Sequence, residues 1–128
     1  MPLTDPIGDL LTRIRNAQHG RRPECRAPWS KMKEGICQLL KTHGYIADAR
    51  TEGEGVEKEV VVTFLTDRPA LELKRVSSPG GRKYVGAADI RALLHGAAIA
   101  IISTSSGLMT DKEARSKKIG GELLCTIS

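Results

Sequence analysis

The chain has 128 residues, 40% of them apolar, with one Trp, two Tyr and one Phe, so any core is built mainly from Ile, Leu, Val and Ala and suits one domain or two small ones. A formal charge of +5 and a pI near 9.3 favour a polyanionic partner. No apolar run approaches the roughly 18 to 20 residues of a spanning helix, acids stand early in the chain, and the three cysteines are irregularly spaced, which argues against a signal peptide, a membrane span, a disulfide framework and a zinc knuckle. The expectation is a soluble, cytosolic protein with reduced thiols.

Asp5-Pro6 reads as an N-cap followed by proline at the first helical position, and Ile7, Leu10, Leu11 and Ile14 then recur at helical spacing. That stripe should face a core, leaving Asp9, Thr12, Arg13 and Asn16 on the other side and Arg15 near the boundary. A basic connection from His19 to Pro28 leads to a second helix beginning near Ser30, with Met32, Ile36, Leu39 and Leu40 as its buried side and Gly44 to end it. Lys31 and Lys33 fall in its first turn, against the helix dipole, which hints at an external anion there; a surface accident is the equal alternative.

Strands are predicted at Tyr45 to Ala49, Lys58 to Leu65 and Ala70 to Val76, with turns at Gly53-Glu-Gly55 and Thr66-Asp-Arg-Pro69. The result is an N-terminal α-α-β-β-β unit over residues 1–76 with both helices on one sheet face. Ser77-Ser-Pro-Gly-Gly81 has strong turn chemistry and marks the boundary to a C-terminal mixed α/β unit, residues 77–128, against which the first unit packs. Arg82-Lys83-Tyr84 then sets two cations and a ring beside the turn, able to touch phosphate and stack on a base, or else forming an edge strand with Tyr84 as packing. Asp89 to Leu94 reads as a short helix ended near His95 and Gly96.

The apolar run Ala97 to Ile102 predicts a strand covered on both sides, and Ser103-Thr-Ser-Ser106 ends it where the chain emerges. Such short hydroxyls can meet riboses, phosphates and base edges at close range, or cap their own loop, Ser103 above all. In a chain of this charge the expected contact is RNA, through Ser105, Ser106 and Gly107 first. The loop lacks the glycine spacing and Gly-Lys-Ser/Thr ending of a nucleotide-phosphate loop. Thr110-Asp-Lys-Glu113 fits a capping box opening a basic helix, and Gly120-Gly121 breaks it before a last, structural strand from Glu122 to Ile127.

A hydrolase would have to use His43, His95, Asp9, Asp89, Asp111, Glu113 or the cysteines, none of which form a nucleophile-base or metal-ligand arrangement in the sequence. A DNA-binding module lacks a recognition-helix pair or zinc frame. An interaction protein without RNA function is the other competing account, and it would show no salt-sensitive, shape-dependent RNA association.

The ordered blocks Asp5-Pro-Ile-Gly-Asp-Leu-Leu-Thr-Arg-Ile-Arg-Asn16, Ser30-Lys-Met-Lys33, Val76-Ser-Ser-Pro-Gly80, Arg82-Lys-Tyr84, Ser103-Thr-Ser-Ser-Gly-Leu-Met-Thr-Asp-Lys-Glu-Ala-Arg115 and Gly120-Gly-Glu122 span essentially the whole chain. Together they resemble the bacterial family of the eighth small-subunit ribosomal protein. The resemblance implies a two-domain α/β protein, not an enzyme and without cofactor or metal, that binds the central domain of small-subunit ribosomal RNA and promotes subunit assembly. It implies a main contact through Ser103, Thr104, Ser105, Ser106 and Gly107, assisted by Tyr84, Arg82 and Lys83, and a second RNA-facing surface at Thr4, Asp5, Arg13, Arg15, Asn16, Lys31 and Lys33. Neighbouring small-subunit proteins and the protein's own operon messenger RNA are further implied partners; membrane, DNA and an obligate homo-oligomer are not expected. The chain departs from the family where it carries Ser78 in place of a common arginine before Pro-Gly, with Arg82 as the nearby cation, and Ser106 in place of a lysine-like side chain.

Overall fold

The computed structural model describes residues 5–94 and 96–128, so that Thr4 and His95, both singled out from the sequence, lie outside the described residues. The described residues form two compact units, one covering Pro6–Leu71 and the other Glu72 to Ser128 together with Asp5. The division falls a few residues earlier than the Ser77–Gly81 turn. Its cause is visible in the hydrogen bonds: the Leu71 amide donates to the Gln18 side chain at 3.1 Å, whereas Glu72 and Ser128 exchange two backbone bonds of 3.0 Å.

In the first unit α1 (Pro6–His19) buries Ile7, Leu10, Leu11, Ile14 and Ala17, as its periodicity predicts. β1 (Glu24–Pro28) occupies what reads in sequence as a basic connection. Only Cys25 and Ala27 point inward from it, too weak an alternation to register as a strand without its partner. α2 (Lys31–Thr42) starts at Ser30, whose hydroxyl accepts from the Lys33 amide, and ends with Gly44 at φ +78°. The Gly44 amide donates to Lys41 and the Tyr45 amide to Leu40, the paired bonds of a left-handed helix stop.

The buried stripe of α2 is Lys33, Ile36, Cys37 and Leu40, not the expected set led by Met32, which is exposed. Core packing set the helix about one position round from the purely apolar stripe, and a lysine was carried inside. β2 (Asp48–Glu52) and β3 (Glu59–Thr63) complete an antiparallel sheet in the order β1-β3-β2, with α1 against β1 and α2 against β2. The observed order is thus α-β-α-β-β. The strand expected at Ala70 to Val76 is shorter and belongs to the other unit.

That second unit is built on β4 (Leu73–Arg75), β5 (Tyr84–Val85), β6 (Ile99–Thr104), β7 (Gly107–Thr110) and β8 (Gly121–Ile127). The sheet runs β4-β8-β6-β7, and β5 pairs with another stretch of β8. The terminal strand is therefore the one on which the unit is assembled. A bulge opposite Ile101 and Ile102 leaves Leu124 without a partner on β6 and accounts for the weak alternation of the β8 sequence. The short helix expected at Asp89 to Leu94 is two 3-10 turns, Ala87–Asp89 and Arg91–Leu93. Val85, Ile90, Ala100, Ile102, Met109, Ala114 and Leu123 form a core under α3 (Asp111–Lys117).

α3 opens with the predicted capping box between Thr110 and Glu113. Asp111 behind it is buried; one carboxylate oxygen accepts from the Ala100 amide at 3.0 Å and the other from Arg115 at 3.2 Å, tying the helix start to β6. Among the described residues no helix is long and apolar enough to cross a membrane.

Candidate nucleic-acid interface

The hydroxyl segment is the closed end of a hairpin. β6 and β7 pair up to Thr104 opposite Gly107, which leaves Ser105 and Ser106 as the turn. Gly107 has φ +109°, a conformation open to glycine and strained for an L side chain, while both serines keep negative φ. The Thr104 hydroxyl donates to the Gly107 carbonyl at 2.8 Å and accepts from the Ser106 amide at 3.0 Å. The loop-capping hydroxyl is therefore that of Thr104, not the expected Ser103. With the turn closed by Thr104, the Ser105 and Ser106 side chains stand exposed, without partners among the described residues.

Register brings the second candidate segment close to this hairpin. Glu122 of β8 lies opposite Tyr84 on one side and Ser103 on the other, so the three share one sheet face with Tyr84 and Ser103 two strand spacings, about 10 Å, apart. Tyr84 is 73% exposed, on a two-residue strand, so its ring is not core packing. Lys83 and Lys74 line an adjoining cavity of about 510 Å³ with Tyr84, Val76, Leu93 and Leu123. Arg82 donates to Glu122 at 2.9 Å.

The approach depends on glycine. A Cβ on Gly121 would come within 2.2 Å of the Ser103 carbonyl oxygen, and one on Gly120 within 2.4 Å of that of Val85. Gly120 and Gly121, legible in sequence only as a helix stop, thus let β8 lie close to the backbone of both candidate segments.

In the first unit Arg13 and Asn16 line an open cleft of about 540 Å³ with Arg22, Arg26 and Glu24. Arg13 is held by Asp9 at 2.8 Å and donates to the Arg26 carbonyl at 3.2 Å. Arg15 is half-buried on α1, and Lys31 is exposed at the start of α2. Lys33 is buried, and loss of hydration there lowers its pKa, opposed by nearby Asp9. Asp5, described with the second unit, forms a forked ion pair with Arg75 at 3.2 to 3.3 Å, and Arg75 also donates to the Leu124 carbonyl.

Several of the residues that a hydrolase would need have structural work instead. Asp9 pairs with Arg13, His43 is the C-cap of α2, Asp111 and Glu113 anchor α3, and the three cysteines are free, buried thiols. Burial pushes Cys25 up to about 11 and Cys37 and Cys125 to about 12, leaving them protonated and unreactive at neutral pH.

A hairpin tip with exposed serine hydroxyls, an exposed ring and lysines on one unit fit an RNA-binding class of protein. The comparisons identify the family. Residues 5–128 match the family model described as Ribosomal protein S8. The chain is 47% identical to the small ribosomal subunit protein uS8 of Anaeromyxobacter dehalogenans strain 2CP-C, covering 99% of each chain. It is 46% identical to the protein of that name from Thiobacillus denitrificans over the full length of both. With the protein of that name from Nitratidesulfovibrio vulgaris it shares 48% identity over 98% of each. The chain belongs to the ribosomal protein S8 family, and it is a ribosomal protein rather than an enzyme.

Proposed function

We propose that this protein binds the central domain of small-subunit ribosomal RNA at a helical segment with an irregular internal core. The C-terminal region, residues 77–128, makes the main contact through Ser103, Thr104, Ser105, Ser106 and Gly107, with Tyr84, Arg82 and Lys83 beside them. As a member of its family the chain is an RNA-binding structural constituent of the small ribosomal subunit, with RNA and protein partners, and it works in the cytoplasm where ribosomes assemble.

The observation that carries the proposal is the division of labour at the hairpin. Thr104 satisfies the turn internally, so the serine hydroxyls remain available as short donors and acceptors that demand close approach. A regular A-form helix offers a shallow minor groove of uniform shape; a distorted core offers base edges and riboses at positions a rigid tip can test. Cations supply long-range attraction that falls with salt, and the rigid tip supplies shape selection.

The second surface comprises Arg13, Arg15, Asn16 and Lys31 of the first unit, with Lys33 as a buried charge of the same unit; the family resemblance adds Thr4 and Asp5. By the same chemistry the protein binds a similarly irregular helix in its own operon messenger RNA and limits translation.

Equilibrium binding to a central-domain RNA fragment, with a regular duplex of equal length as competitor and several salt concentrations, tests the reading. Preference for the irregular fragment at every salt concentration is expected. Equal affinity for both RNAs would refute shape selection.

A further inference from the structure

We infer that Glu122 is a positioning residue that couples the Arg82–Tyr84 segment to the hydroxyl hairpin, and thereby sets selectivity for irregular RNA. The inference rests on the RNA-binding reading above and goes beyond it, because an acidic side chain between two phosphate-seeking segments otherwise opposes their function.

The geometry carries the case. Ser77 is fully buried at the head of the central turn; its hydroxyl accepts from the Lys83 amide at 3.0 Å and donates to the Glu122 carboxylate. The same carboxylate oxygen accepts from Arg82 at 2.9 Å. The backbone repeats the linkage, with the Leu123 amide donating to the Lys83 carbonyl and the Ser77 amide to the Leu123 carbonyl. Glu122 is also the residue opposite both Tyr84 and Ser103. One carboxylate thus holds the turn, the Arg82 guanidinium and the backbone from which Tyr84 projects, on the strand that fixes Ser103.

Only 14% of the Glu122 side chain is exposed. Burial raises its pKa, but the bonds from Ser77 and Arg82 outweigh that effect, and the net shift is downward. The carboxylate is ionised at neutral pH, where charge-assisted bonds hold best.

Positioning and simple charge repulsion make opposite predictions for Glu122→Gln. A repelling carboxylate, once neutralised, would bind both the irregular fragment and the regular duplex more tightly, with a steeper salt dependence if Arg82 were released to phosphate. A positioning carboxylate, once weakened, loses affinity for the irregular fragment by about tenfold, the size of one charge-assisted hydrogen bond, while duplex affinity and salt slope stay as they were. Ser77→Ala removes the strut from its other end without changing any charge and should give the same loss of preference. The double variant should lose little more than either single one.

Wild-type protein is measured alongside, with thermal unfolding of each variant. If wild type itself shows no preference, the RNA reading fails. If wild type discriminates and a folded Glu122→Gln protein either discriminates equally or tightens on both RNAs, the positioning role is overturned. Should Glu122→Gln not fold, the folded Ser77→Ala protein decides: retained preference overturns the inference, and lost preference with an unchanged salt slope supports it.

Discussion

The open face of the β1-β3-β2 sheet and the β6-β7 hairpin both present polar side chains, but they use them in opposite ways. On the sheet face Arg26 reaches Glu52 at 2.6 Å and Glu59 at 3.7 Å, and Arg50 reaches Glu52 at 2.9 Å and Glu24 at 3.2 Å, all above a fully buried Val61. The arginines there are committed to neighbouring carboxylates. On the hairpin one hydroxyl closes the turn and the others remain free. Net positive charge therefore does not by itself mark a surface with available donors. Each exposed ion pair contributes little to stability, and the network serves mainly to cover Val61, the buried valine at the centre of a charged sheet face.

Breaking the hairpin's support should have the largest effect. Gly121→Ala sets a methyl group against the Ser103 carbonyl, and urea unfolding is expected to show a loss of about 3 kcal/mol or more, together with loss of RNA preference. Asp111→Ala leaves the Ala100 amide and Arg115 without their acceptor and should cost about 2 to 3 kcal/mol, with binding recovering wherever the protein stays folded. Equal losses of stability in Gly121→Ala and a surface alanine variant would break the first prediction.

Thr104→Val tests the tip more finely. It should cost about 1 kcal/mol of stability, while discrimination against the regular duplex falls further than that loss explains; Thr104→Ser should restore both.

Lys33 sharpens the contrast from the other unit, since its charge is inside. Because its pKa is lowered in the folded state, the unfolded chain holds the proton more tightly, and stability rises as pH rises through the folded and then the ordinary lysine value. At neutral pH the charged form is present in both states and its full desolvation penalty remains. Lys33→Met should therefore match or exceed wild-type stability by about 1 kcal/mol at pH 7 and lose that advantage at high pH. A lower melting temperature for Lys33→Met at pH 7 would contradict this account.

The smallest effects belong to the ion-pair network. Arg50→Ala should leave the salt slope of RNA binding unchanged, in contrast to a cation at the RNA surface, which removes about one unit. Likewise, the thiols should react with a maleimide at pH 7 no faster than the protein unfolds.

Much of the local structure was legible in the residues themselves. Pro6, Ser30 and the Thr110–Glu113 box start helices because side chains within three or four positions satisfy or omit the first amides, and Gly44 stops one because it accepts a positive φ. The hydroxyl segment was visible for the same reason: four hydroxyl residues after an apolar run have nowhere to be but the surface. What spacing could not reveal depended on partners tens of residues away. β1 is a strand because β3 pairs with it, and Leu73–Arg75 joins the second unit because β8 does. Lys33 was carried inward by the packing of α2, and Thr104 rather than Ser103 closes the turn because the hairpin register ends there. Glu122 gained its place between Tyr84 and Ser103 in the same way, by strand pairing. Helix caps and turns are decided by bonds that close within a few residues, so the sequence alone determined them. Strand neighbours, buried charges and the meeting of the two candidate segments are decided by bonds between distant residues, which only the tertiary structure brings together.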